Sequence, residues 1–68
     1  MIRSVFVDTS AWYSLADRGD RNHHRAEQCF RRLIGEERLL VTSNHVVAET
    51  YTLLRMRLGA SAGQEFLW

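Results

Sequence analysis

Four oxygen-bearing residues of this 68-residue chain fall where chemistry could be done. Asp8 closes the short apolar run Val5-Phe6-Val7, and Thr9 and Ser10 follow it at once. Glu49 comes much later, on the same side as Leu53 at the edge of an apolar stripe. Two carboxylates that converge repel each other unless a cation sits between them. Hard oxygen ligands of this kind suit Mg2+ or Mn2+. An ion held there lowers the pKa of a bound water and makes hydroxide available near neutral pH. Each carboxylate also has a purely structural reading. Asp8 can cap a helix, as aspartate commonly does. Glu49 can pair with a nearby arginine such as Arg3, Arg38 or Arg55.

Convergence depends on the elements that carry these residues. Residues 4–8 read as a strand, because the run is β-branched and aromatic and too short for a helix. Ser10 is a good N-cap for the short helix that follows, which ends near Asp17. Residues 17–22 form a polar loop that turns at Gly19. Asn22 then opens the clearest helix and Gly35 closes it. Ala26, Cys29, Phe30, Leu33 and Ile34 make its apolar stripe. Residues 38–43 read as a second buried strand. Ser43 or Asn44 starts a long helix striped by Val47, Tyr51, Leu54 and Leu58 and ended by Gly59. A further helical pattern runs from Ala60 to Trp68.

Strand, helix, helix, strand, helix and part of a helix imply an α/β fold with parallel strands and a right-handed crossover. Ligands of open α/β sheets gather at the carboxyl ends of the strands, where Asp8 sits. Two parallel strands leave both edges open, and parallel sheets are usually covered on both faces. The expectation is therefore the first part of one α/β domain over residues 1–68, with its remaining strands in a C-terminal part absent from this sequence.

Composition narrows the function. The lone Cys29 excludes an internal disulfide and a CxxC-type zinc site, and its place in the stripe makes it a core residue. All nine basic residues are arginine, which suits bidentate contacts to phosphate. A net charge of +1 argues against a protein that coats polyanions. The apolar run before Asp8 is too short for a signal core or a membrane span, so a cytoplasmic protein without membrane contact is expected.

The stretches VFVDTSAWYSLAD, NHHRAEQCF and LLVTSNHVVAETYTLL, in this order, resemble the N-terminal half of a PIN domain. They are most similar to the VapC-type toxin ribonucleases of toxin–antitoxin systems. The resemblance runs from Val5 to about Leu58. It implies a three-layer α/β/α fold with a parallel sheet. It also implies a Mg2+- or Mn2+-dependent endoribonuclease that leaves a 3′-hydroxyl and a 5′-phosphate. By resemblance Asp8 and Glu49 are metal-binding acids, and Asp8, Glu49 and Ser10 form the catalytic set, with Ser10 orienting a metal-bound water. Thr9 and Asn44 are then substrate contacts. The family's later acids fall beyond Glu49, and Glu65 matches neither position. The implied partners are RNA and a cognate antitoxin protein, and the open strand edges also admit a homodimer.

Two other readings compete. One is a catalytically inactive fragment that binds antitoxin through the Cys29/Phe30/Leu33 or Val47/Tyr51/Leu54 stripe. The other is a non-functional remnant. Haloacid-dehalogenase-type phosphatases are argued against, because they place a second aspartate where Ser10 stands. His23 and His24 are adjacent on a helix and point in different directions, so they make a poor metal pair. Trp12 is a candidate interface residue, and Tyr51 is expected in the packing.

Overall fold

The computed structural model describes residues 4–67. Six elements follow one another: β1 (Ser4–Phe6), α1 (Thr9–Ala16), α2 (His23–Gly35), β2 (Leu39–Val41), α3 (Asn44–Leu58) and α4 (Ala60–Leu67). The two strands pair in parallel, with Ser4 opposite Leu39, Val5 opposite Leu40 and Phe6 opposite Val41. The order and type of every element match the sequence reading. The strands are shorter than expected at both places. Yet the Val7 amide still donates to the Val41 carbonyl at 2.7 Å, so pairing continues to the residue before Asp8.

Helix ends follow local chemistry, with two surprises. Ser43 caps α3, its hydroxyl accepting from the Val46 amide at 3.2 Å. Gly59 ends α3 at φ +102°, a conformation that glycine adopts without a Cβ penalty, and α4 folds back from it. At the end of α2 the left-handed position falls on Glu37 (φ +57°), two residues past Gly35. Asn22 takes the N-cap position of α2 without a side-chain bond to the helix. The start of α2 is secured instead by His23, whose Nδ1 donates to the Ser14 carbonyl at 2.9 Å.

The core lies where α1 meets α2 and α3. Val7, Tyr13, Phe30 and Leu54 are its buried apolar residues, and Thr50 is fully buried beside them. Thr50 donates to the Val46 carbonyl at 2.7 Å, so its hydroxyl proton is matched inside α3. Trp12 is an internal joint. Its ring lies 5.4 Å from that of Phe30 and meets Phe66 edge-on at 5.9 Å. Its indole N–H donates to Thr42 Oγ1 at 3.1 Å, and that hydroxyl donates to the Val7 carbonyl at 2.9 Å. One short chain of bonds therefore ties α1 to both strand ends, directly before Asp8. Gly63 is buried against Tyr51, where a Cβ would stand 2.8 Å from the ring.

The α2 stripe is only partly used. Phe30 is buried, but Cys29 and Ile34 are exposed, which corrects the core assignment of Cys29. The reason is that α2 packs chiefly on α1, a helix of eight residues too short to cover the whole stripe. Leu58, at the far end of the α3 stripe, is exposed likewise. Among the described residues no helix is long and apolar enough to cross a membrane.

Candidate active site

Asp8 leaves β1 in extended conformation and becomes the N-cap of α1. Its Oδ1 accepts from the Ala11 amide at 3.2 Å and from the Ser10 hydroxyl at 3.0 Å. This corrects the expected cap. Ser10 lies inside the first turn, and α1 starts at Thr9 because the carboxylate, a strong cap, satisfies the free amide. The capping reading and the site reading of Asp8 are thus compatible. One oxygen is spent on the helix, and Oδ2 has no hydrogen-bond partner among the described residues.

Glu49 stands on α3 and is exposed, less inward than its place at the stripe edge implies. Thr9 Oγ1 donates to Glu49 Oε1 at 2.5 Å. The residue next to Asp8 therefore reaches across the α1–α3 seam and fixes the second acid. Glu49 Oε2 keeps no hydrogen-bond partner among the described residues. The ion-pair reading is not met there: Arg38 pairs with Glu36 at 3.2 Å, Arg55 makes no ion pair with Glu49, and Arg3 lies outside the described residues. Asn44, the first residue of α3, is exposed and, among the described residues, makes no hydrogen bond to Thr9 or Glu49.

These donors fit a hard divalent cation. Mg2+ is usually held by one or two carboxylates, keeping several waters and taking substrate phosphates as further ligands. Asp8 and Glu49 offer two exposed carboxylates, each with one oxygen uncommitted. Among the described residues no third His, Cys, Asp or Glu joins them.

Lower in the seam, Tyr13 donates to Asp17 Oδ2 at 2.8 Å, and the Arg57 guanidinium lies over the Tyr13 ring at 5.1 Å. The bond to the Asp17 carboxylate, followed by burial, raises the Tyr13 pKa above its ordinary 10.0. The sequence reading passed over Arg57. Its signal was present: Glu49, Leu53 and Arg57 repeat every four residues and share one helix face.

The family profile for the PIN domain matches residues 5–67. The chain belongs to the PIN-domain family. Its parallel strand pair and four helices are an α/β portion of the PIN fold. The chain is 41% identical over 58 residues to the 23S rRNA-specific endonuclease VapC20 of Mycobacterium tuberculosis, in two strains. That match covers 85% of this chain and 42% of the relative. A crystal structure of Mycobacterium tuberculosis VapC20, described as a sarcin–ricin loop cleaving toxin, superposes with a TM-score of 0.76 at 40% identity. It covers 91% of this chain and 45% of the solved one. This PIN-domain chain thus spans a little under half the length of the relatives it matches.

Proposed function

We propose that the protein is a metal-dependent endoribonuclease, the toxin of a toxin–antitoxin pair, with Asp8 and Glu49 as acids of its catalytic centre. The observation that carries this reading is the Thr9–Glu49 hydrogen bond, which brings an acid from α3 to the helix start that Asp8 caps. The 41% identity to a 23S rRNA-specific endonuclease supports RNA as the substrate class. The partners are then structured RNA and a cognate antitoxin.

A divalent ion, Mg2+ or Mn2+, would be held by Asp8 and Glu49 and would supply an activated water and charge neutralisation at the phosphate. The chain's own residues do the positioning. The Ala11 amide and the Ser10 hydroxyl hold Oδ1 of Asp8 and leave Oδ2 uncommitted. Thr9 orients Glu49 through Oε1 and leaves Oε2 free. In this reading Thr9 positions an acid as well as lying beside substrate, Ser10 supports Asp8 and orients water, and Asn44 is an outer substrate contact at the mouth of α3. The rigid post beneath them is the Trp12–Thr42–Val7 chain.

The test uses the protein as its gene encodes it, assayed for cleavage of a structured ribosomal RNA fragment with and without Mg2+. Losing a metal ligand removes several kcal/mol of transition-state stabilisation, so Asp8→Asn and Glu49→Gln are each expected to slow cleavage about a hundredfold or more. Cleavage by Asp8→Asn at the parent rate would sink the reading.

A further inference from the structure

Three arginines mark out a feature beyond the acid pair. Among the described residues Arg31 pairs with Glu27 at 3.7 Å and Arg38 with Glu36 at 3.2 Å; Arg18, Arg21 and Arg55 form no ion pair, and neither do Arg25, Arg32 and Arg57. The last three line grooves. The first groove, of about 370 Å3, runs between α1 and α3 from Thr9 and Ser10, past Leu53, to Arg57. Thr9 and Tyr13 on α1 and Leu53 and Arg57 on α3 line it, and at its upper end Thr9 also holds Glu49, which lies beside the groove rather than in its lining. From Glu49 to Arg57 is eight residues of helix, about 12 Å at 1.5 Å per residue. Asp20 also lines this groove, with Oδ2 engaged by the Asn22 amide at 2.9 Å.

A second groove, of about 290 Å3, lies between α1 and α2 and is lined by Ser10, Ser14, Asn22, Arg25 and Cys29. A third hollow, of about 360 Å3, is lined by Arg25, Gln28, Cys29 and Arg32. The first two share Ser10, Ser14 and Asn22, and the last two share Arg25 and Cys29. Arg25 and Arg32 are seven residues apart and lie on one face of α2. The grooves therefore form one continuous path past Ser10, with cationic side chains along it.

We propose that this path is a track for the phosphate backbone of RNA, with Arg57 contacting phosphate on one side of Ser10 and Arg25 and Arg32 on the other. The proposal rests on the nuclease reading and deepens it, because it says where the strand lies. Guanidinium groups match phosphate oxygens in geometry and charge. An acidic peptide would also satisfy the arginines. The path, however, passes the hydroxyls of Thr9 and Ser10 beside the acid pair, the place a phosphodiester must reach to be cut.

The experiment measures binding of an RNA oligonucleotide across a salt series, in the protein as its gene encodes it and carrying Asp8→Asn to keep the RNA intact. Cleavage of the same RNA by the parent is followed in parallel. Each lost phosphate contact to a single strand lowers the slope of log affinity against log salt by about 0.7. Arg57→Met, which keeps the stem over Tyr13, is expected to weaken binding severalfold and lower the slope by about 0.7. The pair Arg25→Gln with Arg32→Gln is expected to lower it by about 1.4. Arg57→Lys should restore the slope, and Arg31→Gln should change nothing. If Arg57→Met melts earlier than its parent, the exposed α2 pair carries the test. Slopes equal to the Arg31→Gln control, with parent cleavage intact, overturn the track and leave the nuclease reading standing. A parent that neither binds nor cleaves RNA overturns both. Competition by polyglutamate, with the same arginine dependence and none for RNA, reassigns the path to an acidic protein segment and overturns the proposal.

Discussion

The α1–α3 seam and the two-stranded sheet are both rich in apolar residues, and the fold treats them in opposite ways. In the seam Leu54 and Thr50 have 0% exposure and Tyr13 8%. On the sheet Phe6 is 58% exposed, Leu39 55% and Val41 39%. The seam also satisfies its polar atoms, through Thr50 to Val46, Tyr13 to Asp17 and Thr9 to Glu49. The difference teaches where the acid pair gets its rigidity. Asp8 and Glu49 are exposed, but each is held through one oxygen by residues of α1, the helix that packs into the seam. The outer sheet residues contribute little burial there, and hydrophobic stabilisation follows the apolar area removed from water.

The contrast can be broken or sharpened by substitution, read as shifts in a reversible denaturant melt of the 68-residue chain. The largest effect is expected at the seam. Leu54→Ala should cost about 2–5 kcal/mol, because a fully covered leucine leaves a cavity. Thr42→Val should come next. It removes the acceptor of the Trp12 indole and the donor to Val7, a loss of about 1–3 kcal/mol, with a change in tryptophan fluorescence as its signature. Tyr13→Phe should cost about 1 kcal/mol by leaving Asp17 Oδ2 without its donor, while Oδ1 keeps the Gly19 amide. The same bond has a pH signature. The raised Tyr13 pKa means that the fold favours the neutral phenol, so its contribution is complete below pH 10.0 and is lost as pH rises through the folded value. A Tyr13→Phe chain should lack this alkaline step. The smallest effect is expected at Phe6→Ala, about 0.5 kcal/mol or less for a mostly exposed side chain. A Phe6 cost equal to that of Leu54 would mean that the sheet is covered in solution. Sedimentation would then show whether a second copy covers it.

Much of this was legible from the chain alone, and the misses are instructive. The sequence pattern located all six elements and the stop at Gly59, and it narrowed the start of α3 to Ser43 or Asn44, of which Ser43 is the cap. It placed Cys29 in the core because periodicity reports which residues share a face, not whether a neighbour is long enough to cover that face. It placed the first cap at Ser10 because hydroxyl and carboxylate compete as caps, and the winner depends on how the strand delivers the chain into the helix. It left Trp12 as an interface residue because the partners of its N–H and its ring, Thr42, Phe30 and Phe66, are distant in sequence.

By itself the sequence determined the alternation of strands and helices, the presence of carboxylates at positions 8 and 49, and membership of a family that matches residues 5–67. Those properties depend on local backbone geometry and side-chain type, which neighbouring residues set. Only the tertiary structure decided that Thr9 meets Glu49, that Tyr13 meets Arg57, and that arginines from two helices line one path past Ser10. Those pairings depend on how α1 lies across α3 and α2, which is set by packing between residues far apart in the chain.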